Sequence, residues 1–520
     1  MAARFARQFS RPRFITSTAS AGLLYSAYTF QDDAVEKSSK TPLANDPMLR
    51  SMSFGSLLGT WIVYKSCSFA QLVDSSESIL SITNSVPGLR ELSHFVIRHT
   101  FFKQFVGGDT AEDCIPTIRR LKENNVGCLL TYSVEEESIE HIEGRSTLDL
   151  IRANVQETIR SIEIAGRENK AASPEGQIAS TWVALKLTGM TDPEILRRAS
   201  DLILKKRKEH PQGTAIPYPG SPTNHELAQY MQPDPDSLSA SDIARLKVLH
   251  EDMRSILLAA QQHGVRVVID SEQSYYQPAT DVMQMILSQE FNRLASSDDR
   301  VSPVLPLVYG TYQSYLRRNA QHIQQSLGHA QEHGYCLGVK LVRGAYREQE
   351  LELWSNDGQE GTPPVWLTKA ETDACYNSCL DMVVDQIEQD MAKPSPSVGL
   401  VLATHNQQSV EHIIYQMKQK KMARNTTNGL ELDPKIRQKI IIAQLYGMND
   451  RMTSWLSHTF SHKGEPMVMK YVPYGALAEV MPYLSRRAVE NKSVLGGDTG
   501  AKREAERVWD EMNRRVGLNI

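Results

Sequence analysis

Eight short runs of β-branched and aliphatic residues, each closed by polar residues or glycine, most restrict how this chain can fold. They are VGCLLTYS (126–133), STWVALKLTG (180–189), VRVVIDSE (265–272), SPVLPLVYGTY (302–312), CLGVKLVRGAY (336–346), VGLVLATHN (398–406), KIIIAQLYGM (439–448) and VMKYVPYG (468–475). Runs that are apolar on both faces suit a parallel sheet buried under helices. Helical patterns separate them. Residues 241–264 place Ile243, Leu246, Leu249, Met253, Ile256, Leu257 and Ala260 on one stripe, with Ser241 as the expected cap and Gly264 as the stop. Residues 314–334 have the same habit. Eight strands alternating with helices predict an α/β chain folded as a (β/α)8 TIM barrel, with a doubly wound open sheet as the alternative.

The rest of the chain is arranged around this alternation. Residues 1–30 carry Arg4, Arg7, Arg11 and Arg13, many serines and threonines, and no acid. That is the composition of an organelle transit peptide, so mitochondrial import is expected of residues 1–45. Residues 46–120 read as a helical N-terminal region, 121–495 as the barrel and 496–520 as a helical tail. Residues 211–240 hold six prolines and read as a long loop; 354–366 and 423–435 are two smaller insertions. The run FGSLLGTWIVY (54–64) is too short to span a bilayer, and core packing is preferred for it over lying on a membrane. Without residues 1–30 the chain has 53 basic and 61 acidic residues, which argues against a nucleic-acid partner. The six cysteines form no CxxC pair, so neither a zinc ribbon nor a disulfide framework is indicated.

Chemistry is expected where the runs end, because polar groups at the carboxyl ends of barrel strands converge on one mouth. Those ends supply Lys186, Asp270, Tyr312-Gln313, Lys340 with Arg343-Gly344-Ala345-Tyr346, Thr404-His405-Asn406, Gln444-Leu445 and Tyr471. Lys340 sits inside an apolar strand, where a cation is costly to bury unless paired; a cation placed against an anion or an electron-accepting ring is preferred, with an ion pair within the barrel as the alternative. Arg343 and Gly344 suit a pyrophosphate. The pairs His329/His333 and His458/His462 have helical spacing but no third ligand, so no metal site is expected. There is no GxGxxG after a strand, no GxxxxGK[ST], no GxSxG and no HExxH. After the last run comes YLSRRAVEN (483–491). On a helix, Tyr483, Arg486, Arg487 and Glu490 share an arc of about 100°. Two guanidiniums there can clamp a carboxylate, Tyr483 can cover a small ring, and Glu490 can hold an arginine or meet an ammonium.

KLVRGAY, ATHN, KYVPYG and YLSRRAVEN, in this order over about residues 120–495, resemble the proline dehydrogenase family in its mitochondrial form. The resemblance implies a distorted (β/α)8 barrel with FAD at the strand ends. It implies oxidation of L-proline to Δ1-pyrroline-5-carboxylate, with electrons passed to ubiquinone and the respiratory chain at the matrix side of the inner mitochondrial membrane, where peripheral contact is expected. Position by position, Arg486 and Arg487 match the pair that binds the proline carboxylate, with Lys186 as a third cation and Asp270 supporting the cluster. Tyr346, Leu445, Tyr471 and Tyr483 match the walls around the ring, and Glu490 the glutamate of the same helix. Lys340 matches the basic residue beside the flavin ring. Arg343, Gly344, Lys369, Thr404, His405 and Gln444 match flavin-contacting positions. Gly310 stands where bacterial members have a glutamine that touches the flavin. Two other readings remain: a hydroxyproline dehydrogenase, against which Tyr471 argues because that form resembles this motif with a serine there, and a catalytically silent barrel serving as a scaffold.

Overall fold

Strands apolar on both faces must be covered on both, and closing the sheet on itself does this without leaving an edge. In the computed structural model, β1 (Gly127–Tyr132), β2 (Thr181–Lys186), β3 (Val267–Asp270), β4 (Val308–Gln313), β5 (Leu337–Val342) and β6 (Val398–Ala403) stand side by side. A hairpin, β7 (Ala423–Thr426) and β8 (Gly429–Leu432), interrupts the series before β9 (Ile440–Leu445) and β10 (Val468–Tyr474). β10 pairs in parallel with both β9 and β1, so eight strands close a (β/α)8 barrel. All eight expected runs contain a barrel strand, and the open-sheet alternative falls. The structure describes residues 46–520 apart from 70–85, 87, 134–146, 173–178, 210–215, 225, 227–237, 295–304, 357–360, 393–397, 428, 461–465, 494–499 and 518–520. The expected transit segment and most of the proline-rich loop lie outside the described residues.

Two differences from the sequence reading are local. The helix expected from Ser241 starts at Ala240 and is capped by Ser239, which accepts from the Asp242 amide while the Asp242 carboxylate returns to the Ser239 amide. The reciprocal cap binds two donors that Ser241, inside the first turn, cannot. Gly264 does end that helix, in a left-handed conformation. The second helix begins at Asn319, after a turn, rather than at 314.

Strand alternation sorts the core into two layers. Leu129, Trp182, Val268, Tyr309, Val401, Ile441 and Met469 point inward and fill the barrel. Trp182 and Tyr309 lie 5.0 Å apart, and the Arg266 guanidinium sits 4.8 Å from the Trp182 ring, so the interior is a plugged core. Leu130, Val183, Val267 and Val308 point outward against helices such as Ala240–His263 and Gln277–Phe291.

A third apolar cluster lies beyond the ends of the strands. Helix Phe54–Cys67 contributes Leu57, Val63 and Tyr64; helix Leu477–Ser493 contributes Val480, Tyr483 and Leu484; helix Ala501–Arg515 contributes Ala505 and Val508. The run 54–64 thus packs one face into a core, as preferred. Its other face leaves Phe54, Leu58 and Ile62 exposed. Arg507 ties the cluster together by pairing with Asp46 and, at 2.9 Å, with Glu504.

Candidate active site

The parallel register decides which strand-end residues meet. Lys186 lies beside Asp270, Thr311 beside Lys340, and Tyr471 beside Leu445. All belong to the inward series that contains Ala184, Val268, Tyr309, Val401 and Ala443. They therefore form the top layer of the barrel interior, at the carboxyl ends.

Asp270 is the hub. Its carboxylate pairs with the Lys340 ammonium and accepts, at 2.7 Å, from the Tyr471 hydroxyl. Lys340 also lies 4.9 Å from the Tyr471 ring centre. Burial, then Asp270 beside it, holds the Tyr471 hydroxyl well above its usual pKa, so it stays protonated and donates. The less favoured expectation for Lys340, an ion pair within the barrel, is thus what the structure contains. The pair is nonetheless at the mouth, where one face of the ammonium can serve a second anion.

Helix Leu477–Ser493 follows β10 directly and carries the other cations. The Arg487 side chain is nearly buried, pairs with Glu490 at 2.5 Å and stacks 4.9 Å from the Tyr483 ring. Glu490 therefore serves an arginine. Arg486 is half-buried beside it. Tyr483, Leu484 and Leu445 share one cluster, which sets this helix against the β9 end. Charge reaches across the gap as well, since Arg487 and Lys470 both act on His405. Burial first, then these two cations, pushes the His405 pKa down to about 3, so the imidazole is neutral. Its Nε2 accepts from the Leu445 amide at 3.1 Å, which leaves the proton on Nδ1. Nδ1 is buried and has no hydrogen-bond partner among the described residues, as is true of Gln313 Oε1. Enclosed polar atoms without partners at a strand-end mouth fit a polar ligand seated there.

Arg343 and its neighbours form a second polar shelf. The guanidinium bonds Asp373 at 2.6 Å, Thr404 Oγ1 at 2.8 Å and Ser409 Oγ at 3.0 Å, and covers the Tyr376 ring at 4.2 Å. Lys369 joins the same Asp373 at 2.5 Å but is otherwise exposed. Asn406 caps the helix Gln407–Gln419 by accepting from the Ser409 amide. Ala345 and Tyr346 follow Gly344 at the rim, Ala345 exposed and Tyr346 half-buried.

Two expected contacts are not brought into the mouth. Tyr312 is on the outward series, with its ring 4.9 Å from His322 in the helical layer. Gln444 is outward too, and bonds Thr453 and the Met452 sulfur of helix Asp450–Thr459. Gly310, from which no flavin contact is expected, also faces outward, where a Cβ would strike Gln284. Strand alternation, one residue out of phase with the inward set, is the reason in each case. Gly344 is glycine for another reason than ligand approach: at φ +117° a Cβ would overlap the Tyr315 ring.

Sequence reading missed Asp373, Ser409 and Tyr376, which lie on helices and gave no strand-end signal. It also missed Lys470, which is fully buried and pairs with Asp450 at 2.8 Å. The signal for it was there: a lysine within VMKYVPYG, the same anomaly as Lys340. Among the described residues no cluster of three metal-binding side chains occurs.

Comparison with known proteins now bears on this mouth. The profile of a family described as proline dehydrogenase matches residues 114–497. A relative named "Proline dehydrogenase 1, mitochondrial" from Dictyostelium discoideum is 30% identical over 488 residues, covering 92% of this chain and 76% of its own. A human relative of the same name is 25% identical over 574 residues, covering 90% and 88%. A rat relative named "Hydroxyproline dehydrogenase" is 27% identical over 460 residues, covering 88% and 90%. Among solved structures, proline utilization A from Bdellovibrio bacteriovorus superposes with a TM-score of 0.57 at 16% identity, over 88% of this chain. This chain spans 40% of that longer one, and the likeness is one of fold.

Proposed function

The chain belongs to the proline dehydrogenase family of oxidoreductases, and on that premise we propose that it oxidises L-proline to Δ1-pyrroline-5-carboxylate with FAD and passes the electrons to ubiquinone. The observation that carries this reading is the meeting of two half-sites. The Asp270–Lys340–Tyr471 cluster lies inside the mouth, and the Tyr483–Arg487 face of the last barrel helix is drawn against it.

Arg487 and Arg486, with Lys186 across the mouth, would hold the proline carboxylate through charge-assisted hydrogen bonds. Glu490 orients Arg487 by their 2.5 Å pair. Asp270 fixes Lys340 and Tyr471, so the ring wall made by Tyr346, Leu445, Tyr471 and Tyr483 is set before substrate arrives. Lys340 and the Nδ1–H of His405 would face the flavin ring system, and Arg343 with Thr404 its phosphate side. FAD, when bound, supplies the two-electron acceptor for the hydrogen on the ring carbon next to nitrogen. With Asp270 committed to Lys340 and Tyr471, the amine proton goes to solvent.

The test is the visible spectrum of the purified chain reconstituted with FAD, without and with L-proline under exclusion of air. Flavin bands that bleach on adding proline are expected. Bound flavin that proline leaves unbleached refutes the activity and favours the scaffold reading.

The rat relative makes hydroxyproline the second substrate to weigh. The Tyr471 phenol is anchored on Asp270 and cannot swing aside without breaking that bond, so a 4-hydroxyl on the ring is crowded. A higher kcat/KM for L-proline than for trans-4-hydroxy-L-proline is expected, and equal values overturn this assignment.

For the cell, residues 1–45 are the proposed import segment, 46–120 a helical N-terminal region, 121–495 the catalytic barrel and 496–520 a helical tail. The relatives' names place them in mitochondria; the matrix side of the inner membrane is the proposed location here.

A further inference from the structure

We propose that Lys470 is a positioning residue of the active site, setting Leu445 and His405 from behind the mouth through the turn that joins β9 to helix Asp450–Thr459. The proposal rests on the proposed activity, in which Leu445 belongs to the ring wall and His405 faces the flavin.

Lys470 is fully enclosed and stands on the face of β10 opposite to the inward Met469 and Tyr471. It therefore acts on the mouth only through other residues. Its ammonium pairs with Asp450, the first residue of helix Asp450–Thr459, where the helix dipole disfavours a cation. Replacing such a buried pair by apolar groups of like volume is often neutral or stabilising. Packing and helix stability thus give no reason for a lysine here.

The three N–H donors of the ammonium do. One reaches the Met448 carbonyl at 2.7 Å, one the Leu445 carbonyl at 3.3 Å and one the Asp450 carboxylate at 2.8 Å. All three acceptors fall within residues 445–450, so a single side chain spans the turn. The backbone there needs holding. Gly447 at φ +71° and Asn449 at φ +50° are both left-handed, and Asn449 bears the cost of a Cβ. The Gly447 carbonyl is taken from the N-terminal region, by the Tyr64 hydroxyl at 2.9 Å and Gln104 Nε2 at 3.0 Å.

The opposite side of the turn grips His405 at two points. The Leu445 amide donates to the ring Nε2 at 3.1 Å, and Asn449 Nδ2 donates to the His405 carbonyl at 3.3 Å. Lys470 holds Leu445 by its carbonyl, and Leu445 holds the imidazole by its amide. Without the ammonium two buried carbonyls lose their donor and the turn relaxes. The Leu445 side chain and the Nδ1–H of His405 then lose their fixed places together.

The experiment compares the parent with Lys470→Met/Asp450→Asn, each as the full chain reconstituted with FAD. Both charges leave together, so no lone ion stays buried and the field at the mouth changes little. In the double variant kcat per bound flavin should fall on the order of 10-fold. KM for proline should change little, because the carboxylate clamp is on another helix. The midpoint potential of the bound flavin should fall, since a donor that favours its electron-rich form loses its aim. Amide exchange across residues 445–450, read by mass spectrometry without proline, should quicken. Asn449→Gly suits the left-handed turn and removes the grip on the His405 carbonyl; it should lower kcat and the potential in the same direction by less. Parent-like kcat and potential in the double variant overturn the proposal. So does a raised KM with unchanged kcat, which places the effect on the clamp, or a lower Tm as the sole change, which makes Lys470 structural. A parent chain whose bound flavin proline leaves unbleached refutes the activity, and the potential and the exchange still decide what Lys470 holds.

Discussion

At the scale of single residues, the mouth works because each charge has a partner that also orders it. Arg487 is almost enclosed, and its pairing with Glu490 offsets the cost of that enclosure. Arg487→Ala should raise KM for proline several hundred-fold, since a buried charge-assisted pair is worth about 3 kcal/mol or more. Steady-state kinetics on protein with an intact flavin spectrum checks this, and an unchanged KM refutes the clamp. His322 offers a test away from the mouth. It is buried beside Arg318 and Asp281, and burial first, then Arg318, depresses its pKa to about 3. The unfolded chain binds that proton near pH 6.5 and the folded chain does not. Stability is therefore full above about pH 6.5 and falls as pH drops toward 3, by about 2 kcal/mol at pH 5. Thermal melts across this range should show a shallower acid loss in His322→Gln. Residue identities at the mouth were legible because a charge in an apolar strand is conspicuous. Tyr312 and Gln444 were misread because both faces of these strands are buried, so hydrophobicity does not reveal which way a residue points.

At the scale of elements, β5 and the loop after it show how a strand end is shaped. Gly344 turns the chain at φ +117°, and Tyr315 packs where its side chain would be. Gly344→Ala should cost about 2 kcal/mol or more through strain and displacement of that ring. Differential scanning calorimetry would show it as a lower Tm, and a smaller substitute at position 315 in the same chain should recover part of the loss. The last barrel helix was legible as a charged face from its spacing. That Glu490 belongs to Arg487 was not, because helical geometry alone leaves the glutamate equally able to meet a ligand.

At the scale of the whole molecule, segments far apart in sequence are locked together beyond the strand ends. Asp46 accepts from Arg507 and from Ser454 at 2.8 Å, so the first described residue, helix Asp450–Thr459 and the C-terminal helix meet at one carboxylate. Trp61 of helix Phe54–Cys67 and Trp509 of the C-terminal helix lie 5.3 Å apart, with their rings tilted by 35°. Arg507→Ala leaves Asp46 and Glu504 buried without their cation. A loss of about 3–5 kcal/mol is expected, read as a lower urea midpoint, with Arg507→Lys losing less.

The sequence by itself determined an eight-stranded parallel α/β fold, because eight doubly apolar runs alternating with amphipathic helices can be buried in few other ways; that the sheet closes, through β10 against β1, was decided by the structure. It also determined which residue types stand at the strand ends. Only the tertiary structure decided which of them share a space. Register between strands places Asp270 against Lys340 and Tyr471, and it turns Tyr312 and Gln444 away. Register depends on packing between residues tens to hundreds of positions apart, and no local pattern carries that information.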